Sequence, residues 1–166
     1  LVNACECESY LTCDYRMMLE HGMEILNGVH ALVKAGGAKK ALICTEDNKK
    51  DCAEHLKKLI GDKQVPIEVL VFPTKYPQGG ERQLIEAATG KELAAGGLPA
   101  DAGVIVSNVQ TAKAMGDAVF GKEPSITRCI TVTGLVKKPG NFLVPLGTPL
   151  RELLQKCGGP SELDNK

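Results

Sequence analysis

The sequence predicts an α/β fold in which helices cover a parallel β-sheet, followed by a smaller β-rich segment. Two observations lead to this prediction. Before Pro124, short apolar runs alternate with longer runs whose apolar residues recur at helical spacing, which is the order expected for a parallel sheet. After Pro124, two strand-like runs flank a Lys-Lys-Pro-Gly turn, which is typical of a hairpin. We place the domain boundary near residues 121–126, with residues 1–122 as the first domain and 123–166 as the second.

The first half of the first domain has the pattern strand, helix, strand and helix. Residues 1–4 resemble the end of a buried strand, and the apolar spacing predicts a long amphipathic helix over 14–37. Residues 41–44 form a short apolar run that we interpret as the second strand. Residues 45–48 offer capping side chains to the next helix, which contains Cys52.

The second half of this domain repeats the pattern. Ile67–Phe72 is rich in branched residues, which predicts a strand buried on both faces. A loop rich in proline and glycine follows at 73–80 and leads into a helix over 83–89. A buried strand over 104–106 and a helix over 109–119 complete the predicted domain.

The second domain is predicted to contain a hairpin and a short helix. The hairpin turn falls at residues 137–140. For the helix, we expect Thr148 to be the N-cap and Pro149 to be the first helical residue, with an end at the Gly158-Gly159 pair.

Composition excludes several classes of protein. Basic and acidic residues balance at 20 each, so no excess of positive charge favours nucleic acid or anionic lipid. No apolar run approaches the roughly 20 residues that a membrane helix needs. The seven scattered cysteines favour a reducing compartment over a secreted disulfide framework. Because the chain starts at Leu1, in what resembles a strand, we expect it to be a soluble, cytosolic piece of a longer protein.

Three polar segments follow predicted strands, where open α/β sheets place their ligands. They cover residues 3–8, 74–81 and 107–111. The second contains glycines before a helix, a setting suited to phosphate, although it has neither of the common nucleotide-binding glycine patterns. Each segment has a structural alternative: a capped turn, a plain surface loop and a helix cap, respectively. Their position on one sheet edge favours a shared pocket.

The cysteines do not form a recognisable metal motif. Cys5, Cys7 and Cys13 are spaced C-x-C-x₅-C without a nearby fourth ligand, which disfavours zinc or an iron-sulfur cluster. We interpret the remaining four as small core residues: Cys44, Cys52, Cys129 and Cys157.

Four segments together resemble the RnfC family. They are NACECESYLTCD at 3–14, TKYPQGGERQLI at 74–85, GLPADAGVIVSNVQT at 97–111 and VTGLVKKPGNFLVPLG at 132–147. The resemblance spans nearly the whole chain. It implies a Rossmann-like, three-layer flavin domain related to the flavin subunit of complex I, followed by a partial β-grasp (SLBB) segment that starts near Ser125.

The resemblance also implies a function. In the parent protein, FMN would accept a hydride from NADH and pass electrons to 4Fe-4S clusters that lie outside this chain. No catalytic or metal-binding residue is expected within it. The residues that the resemblance places near the flavin or nicotinamide are Asn3, Glu6, Glu8, Tyr76, Gly79, Gly80, Glu81, Asn108 and Thr111.

The chain departs from the family pattern at three points. The upstream glycine-rich loop for the FMN phosphate and the cysteine motifs for the clusters are absent, and Ser9 stands where the family has proline. We therefore expect an isolated fragment of this kind to be inactive and to retain neither FMN nor NADH. Its expected partners are other subunits of an electron-transfer complex, at the inner face of the cell membrane, without insertion into it. The alternative is a docking or electron-transfer module that does not use NADH, as in an RnfC-like proline or cobalamin reductase component.

Overall fold

The computed structural model describes residues 1–61 and 66–159. These residues form a parallel sheet of four strands and a separate antiparallel hairpin. The strands are β1 (Val2–Asn3), β2 (Ala41–Glu46), β3 (Ile67–Phe72), β4 (Ser107–Asn108), β5 (Thr127–Val132) and β6 (Gly140–Pro145). The helices are α1 (Cys13–Glu20), α2 (Gly22–Ala35), α3 (Lys50–Ile60), α4 (Glu81–Thr89), α5 (Val109–Gly116) and α6 (Leu150–Lys156).

The parallel sheet has the order β3-β2-β1-β4 and is flanked by helices on both faces. Successive side chains of a strand point to opposite faces. Ile43 therefore packs with α2, α3 and α5 in the larger core, whereas Leu42 and Cys44 pack with Leu84 of α4 on the other face. This arrangement confirms the predicted Rossmann-like α/β fold.

Helices α2 and α5 approach each other at the level of the backbone. A Cβ atom at Gly28 would lie 1.6 Å from the carbonyl oxygen of Ala112, and one at Gly116 would lie 2.2 Å from the carbonyl oxygen of Glu24. Only glycine fits at both positions. The contact fixes α5, and with it the strand end that precedes α5, against the rest of the domain.

The predicted hairpin is present as β5 and β6, which pair in antiparallel register from Thr127 with Pro145 to Val132 with Gly140. Helix α6 follows it, with Leu153 buried. None of the helices within residues 1–61 and 66–159 is long and apolar enough to cross a membrane.

Several predicted boundaries in the first half are wrong. The helix expected over 14–37 is two helices, because His21 leaves helical geometry with φ −129° and ends α1 before α2 begins. Thr45 and Glu46, expected to cap a helix, extend β2 instead, and no side chain caps α3.

Other corrections concern the later elements. Strand β3 exposes Glu68 because it is the edge strand, so it is not buried on both faces. The strand expected at 104–106 lies at Ser107–Asn108, and α5 ends at Gly116 in a π-helical turn. Thr148 does not cap α6, since its hydroxyl donates to the carbonyl of Pro145 and the cap residue is Pro149.

Candidate functional site

The three predicted polar segments lie along the carboxyl edge of the parallel sheet. Asn3, at the end of β1, pairs in register with Cys44 of β2 and Asn108 of β4. Strands β2 and β3 lie on one side of β1, and β4, which comes later in the chain, lies on the other. The carboxyl end of β1 is thus the point where the strand order reverses, which is where sheets of this type bind ligands.

The first two segments touch at Gly79. The amide of Asn3 donates to the carbonyl of Gly79 at 2.8 Å, and the same side chain accepts from the backbone N–H of Cys5 at 3.2 Å. A Cβ atom at Gly79 would lie 3.1 Å from the sulfur of Cys7 and 3.3 Å from Cβ of Cys5. A side chain at position 79 would therefore force its neighbours to shift by a few tenths of an ångström.

Glu6 faces the start of α1. Its backbone has φ +51°, and its carboxylate accepts from the backbone N–H groups of Asp14 at 2.8 Å and Tyr15 at 3.2 Å. It satisfies two free donors at the helix N-terminus. Burial raises the pKa of Glu6, although these two N–H groups oppose the rise.

A cavity of about 460 Å³ lies beside this segment, at the carboxyl ends of β1, β2 and β3. We call it the Glu46 cavity. Tyr10 and Tyr76 stand at its rim and are 82% and 72% exposed. It is lined by Glu6, Cys7, Glu8, Ser9, Tyr10, Leu11, Thr12, Tyr15, Glu46, Asn48, Lys49, Thr74, Lys75 and Tyr76.

Glu46 and Lys49 form a buried ion pair in the wall of this cavity. The ammonium of Lys49 lies 3.4 Å from Oε2 of Glu46, and it also donates to the carbonyl of Cys5 at 2.8 Å and to Oδ1 of Asn48 at 3.1 Å. Oε1 of Glu46 is buried and has no hydrogen-bond partner among the described residues. One carboxylate oxygen of this pair is therefore buried without a hydrogen bond from the described residues.

On the other side of β1, the third segment is held in a polar network whose centre, Asp14 and Gln110, is buried. We call it the Asn108 network, made of Asp14, Asn108, Gln110 and Arg128. Asp14 accepts from Asn108 at 2.8 Å and from Gln110 at 2.6 Å. Oδ1 of Asn108 accepts from the backbone N–H of Gln110 and from Arg128, at 2.9 and 2.7 Å.

The network ties the hairpin to the α/β domain. The side-chain amide of Gln110 donates to the carbonyl of Cys129 and accepts from the N–H of the same residue, both at 3.1 Å. A second tie lies at the start of α1, where the hydroxyl of Thr131 accepts from the N–H groups of Thr12 and Cys13. The hairpin is thus fixed beside the carboxyl end of β4.

The structure places the nine sequence-predicted site residues in three groups. Glu6, Glu8 and Tyr76 line the Glu46 cavity, whereas Asn3 and Gly79 are hydrogen-bonded to each other and do not line it. Asn108 and Thr111 lie across β1, where Thr111 accepts from Arg128 at 3.5 Å. Gly80 caps α4, and Glu81 is exposed at the first residue of that helix without lining the cavity.

Sequence reasoning missed Glu46, Lys49, Asp14, Gln110 and Arg128. A signal existed for the first pair, because a glutamate that directly continues an apolar strand, with lysine three residues later, suggests a buried pair. Arg128 had no such signal, since its role depends on where the hairpin docks.

The cysteines behave mainly as core residues. Cys44, Cys52, Cys129 and Cys157 are buried, as predicted, and so is Cys5. Burial raises the pKa of Cys5, Cys44 and Cys52 to about 12. Among the described residues, Glu6, Cys13 and Asp14 bring ligand atoms within 4.8 Å of one another, but both carboxylates already accept hydrogen bonds.

Another cavity, of about 400 Å³, lies at the opposite ends of the strands. It is mostly apolar, and residues such as Val29, Leu32 and Ile105 line it. None of the predicted site residues reaches it. We therefore locate the candidate site at the carboxyl edge.

Comparison with family models gives two matches. A Nuo51 FMN-binding domain matches residues 1–117, and an SLBB domain matches residues 129–166. The second match begins within β5 and includes β6 and α6.

Curated relatives are similar over nearly the whole chain. The C subunit of the proton-translocating ferredoxin:NAD(+) oxidoreductase complex of Clostridium ljungdahlii is 44% identical over 98% of the chain and 35% of the relative. The Na(+)-translocating counterpart of Acetobacterium woodii is 40% identical over 100% of the chain and 38% of the relative. The C subunit of the ion-translocating oxidoreductase complex of Erwinia tasmaniensis is 43% identical over 95% of the chain and 20% of the relative. The chain thus spans 20–38% of the length of these relatives.

Solved structures share the fold. A chain of an NAD+-reducing NiFe-hydrogenase in the H2-reduced state superposes with a TM-score of 0.76, at 22% identity, over 94% of this chain and 32% of that one. The same hydrogenase in the air-oxidized state gives a TM-score of 0.69 at 20% identity. This superposition covers 89% of this chain and 30% of the hydrogenase chain.

Proposed function

Because the chain belongs to the Nuo51 FMN-binding domain family, we propose that it forms part of the NADH-oxidising, FMN-carrying segment of an RnfC-like electron-transfer subunit. Its partners would be the other subunits of such a complex, which is supported by the names of the relatives. Association with the inner face of the cell membrane would then occur through those subunits.

The observation that carries the proposal is the donor set on the β4 side of β1. Arg128 is half-buried and makes no ion pair with a carboxylate in the described part of the chain. It lies against Asn108 and Thr111, at the N-terminus of α5, whose free N–H groups favour an anion. An arginine with spare donors, a hydroxyl and a helix N-terminus are the groups that hold a phosphate. These residues fit the phosphate of FMN.

The other residues of the edge would position the ring of the flavin. Asn3 is fixed by Gly79, and the absence of a side chain at Gly79 lets the two segments meet closely. Lys49 holds the carbonyl of Cys5, which fixes the backbone that follows β1. When bound, FMN would accept a hydride from NADH and release electrons singly to clusters outside this chain.

The test is an FMN titration, followed by flavin fluorescence, of this chain and of a longer chain extended upstream to the length of its relatives. We expect FMN binding by the longer chain. Arg128→Ala should weaken that binding about 10-fold or more, since a charge-assisted hydrogen bond contributes roughly 1.5–3 kcal/mol. Arg151→Ala, an exposed arginine of α6, is the matched control and should not change the affinity.

A docking module that does not use NADH is the second candidate. It is favoured by the use of Glu6 and Asn108 in structural hydrogen bonds, which leaves these side chains fewer contacts for a ligand. If neither chain binds FMN, this candidate replaces the first.

A further inference from the structure

We propose that Thr131, in the hairpin of the second domain, is a positioning residue for Glu6: it caps helix α1 from outside and so holds Glu6 in the wall of the Glu46 cavity. The inference rests on the proposed function, because Glu6 belongs to the candidate flavin site. Thr131 does not line that cavity, so it would act through α1. The candidate site would then be complete only when the second domain is docked.

The first argument is an account of the free N–H groups at the start of α1. The first hydrogen bond within the helix runs from the N–H of Arg16 to the carbonyl of Thr12 at 3.0 Å, so the N–H groups of residues 12–15 need partners elsewhere. The hydroxyl of Thr131 accepts from the first two of these groups, at 3.1 and 3.0 Å. Glu6 accepts from the last two. The hairpin and Glu6 thus share the cap of α1 equally.

The second argument is that α1 does not cap itself. Thr12 is its N-cap residue, where a threonine commonly accepts from the N–H groups of the first turn. Its side chain makes no such bond, because its hydroxyl is bonded to the side-chain amide of Asn141 in β6, with 2.9 Å between the hydroxyl oxygen and the amide nitrogen. The same amide donates to the carbonyl of Thr12 at 3.2 Å, and its oxygen accepts from the hydroxyl of Thr131 at 2.7 Å. A cap from the second domain therefore replaces the local one.

The third argument is the dependence of Glu6 on α1. Its backbone has φ +51°, a conformation that residues with a side chain adopt rarely. Its carboxylate is anchored by the N–H groups of Asp14 and Tyr15, in the first turn of the helix. Helix ends fray when their free groups lack partners. Loss of the Thr131 hydroxyl would therefore loosen the two bonds that fix Glu6.

The titration of Glu6 reports on these bonds. Burial raises the pKa of Glu6, and the two N–H groups oppose the rise, so looser bonds would raise this pKa further. The titratable groups around Glu6 lie on α1, on the loops at the cavity and in the hairpin. They are Glu8, Cys13, Asp14, Glu46, Lys49, Lys75 and Cys129. A change at Thr131 alters none of their charges.

The experiment is an NMR titration of the Glu6 carboxyl group in the native chain and in Thr131→Val, which removes the hydroxyl and keeps the branched shape. We expect Glu6 to titrate at a higher pH in the variant. Thr131→Ser retains the hydroxyl and should restore the native titration. Thr127→Val, the same change at an exposed position of β5, should leave it unaltered. An unchanged titration in Thr131→Val would overturn the proposal, because a residue that only holds the hairpin would affect stability without moving Glu6.

A second measurement uses the native chain alone and holds even if Thr131→Val does not fold. The first N–H groups of a helix lack partners within it and ordinarily exchange rapidly with solvent. After correction for intrinsic rates, hydrogen exchange at Thr12 and Cys13 should be at least about 10-fold slower than at Leu150 and Arg151, the first residues of α6, which no side chain caps. Equal exchange at the two helix starts would overturn the proposal.

FMN titration of the longer chain separates this proposal from the proposed function. If that chain binds FMN, Thr131→Val should weaken the binding about 3-fold or more. An unchanged affinity would mean that Thr131 serves the hairpin alone, and it would overturn the role in the site. If the longer chain does not bind FMN, the flavin is removed, and the titration of Glu6 still decides whether Thr131 positions it.

Discussion

The two sides of strand β1 use their polar residues in opposite ways. On the β4 side, both carboxylate oxygens of Asp14 and both ends of the Gln110 amide are hydrogen-bonded within the Asn108 network. On the β2 side, the Glu46 cavity leaves one carboxylate oxygen without a partner among the described residues. Buried groups that are fully satisfied stabilise a fold, whereas an unsatisfied one indicates a place for a ligand or water. The centre of the Asn108 network therefore holds the hairpin, Arg128 at its margin keeps spare donors, and the β2 side keeps an unpartnered acceptor.

The largest effect should come from removing the centre of the network. Gln110→Leu leaves the N–H and carbonyl of Cys129 unpaired and takes one donor from Asp14. We expect the free energy of unfolding to fall by about 3–5 kcal/mol, since each buried unsatisfied group costs about 1–3 kcal/mol. Denaturant unfolding measures this loss. Gln83→Leu, the same change at an exposed position of α4, should cost less than about 0.5 kcal/mol.

A smaller loss of stability is expected where the first two segments meet. Gly79→Ala places a methyl group 3.1 Å from the sulfur of Cys7, and overpacking of this kind costs about 1–3 kcal/mol. Thermal unfolding would show it. Gly121→Ala, with its nearest neighbour 3.8 Å away, is the control. Equal stability of the two variants would mean that the segments do not pack as closely as the structure indicates.

Arg128 should matter less to folding than to binding. Arg128→Ala removes hydrogen bonds to Asn108 and Thr111 that are partly open to water. We expect about 1 kcal/mol of lost stability by denaturant unfolding, the value of an ordinary hydrogen bond. A loss near that of Gln110→Leu would place Arg128 among the groups that hold the hairpin.

The last effect is confined to alkaline pH and is absent at neutral pH. Burial raises the pKa of Cys5 to about 12 on the cavity side and of Cys129 to about 11 on the network side. Unfolded thiols ionise near pH 8.5. The contribution of these protonated thiols is complete below that value and is lost as pH rises toward 11–12. Unfolding free energies measured from pH 7 to 11 should be flat at first and then decline, and Cys129→Ala should reduce the decline.

The sequence predicted the elements of this fold better than their contacts. Alternating apolar runs identified the sheet, because burial is encoded locally in each strand and helix. The break at His21 and the role of β3 as an edge strand depend on which elements pack together, which local patterns do not contain. For the same reason, Asn108 was correctly placed beside Asn3, but its bonds to Asp14 and Arg128 were not foreseen.

The contact between Gln110 and Cys129 also bears on how freely the hairpin can vary. The side chain of Gln110, in α5, bonds to the hairpin only through the backbone N–H and carbonyl of Cys129. Any amino acid except proline offers the same two groups. For these two bonds, position 129 can therefore change its side chain freely, whereas a grafted hairpin of foreign sequence would also have to keep Arg128 and Thr131, whose side chains make further contacts with the α/β domain.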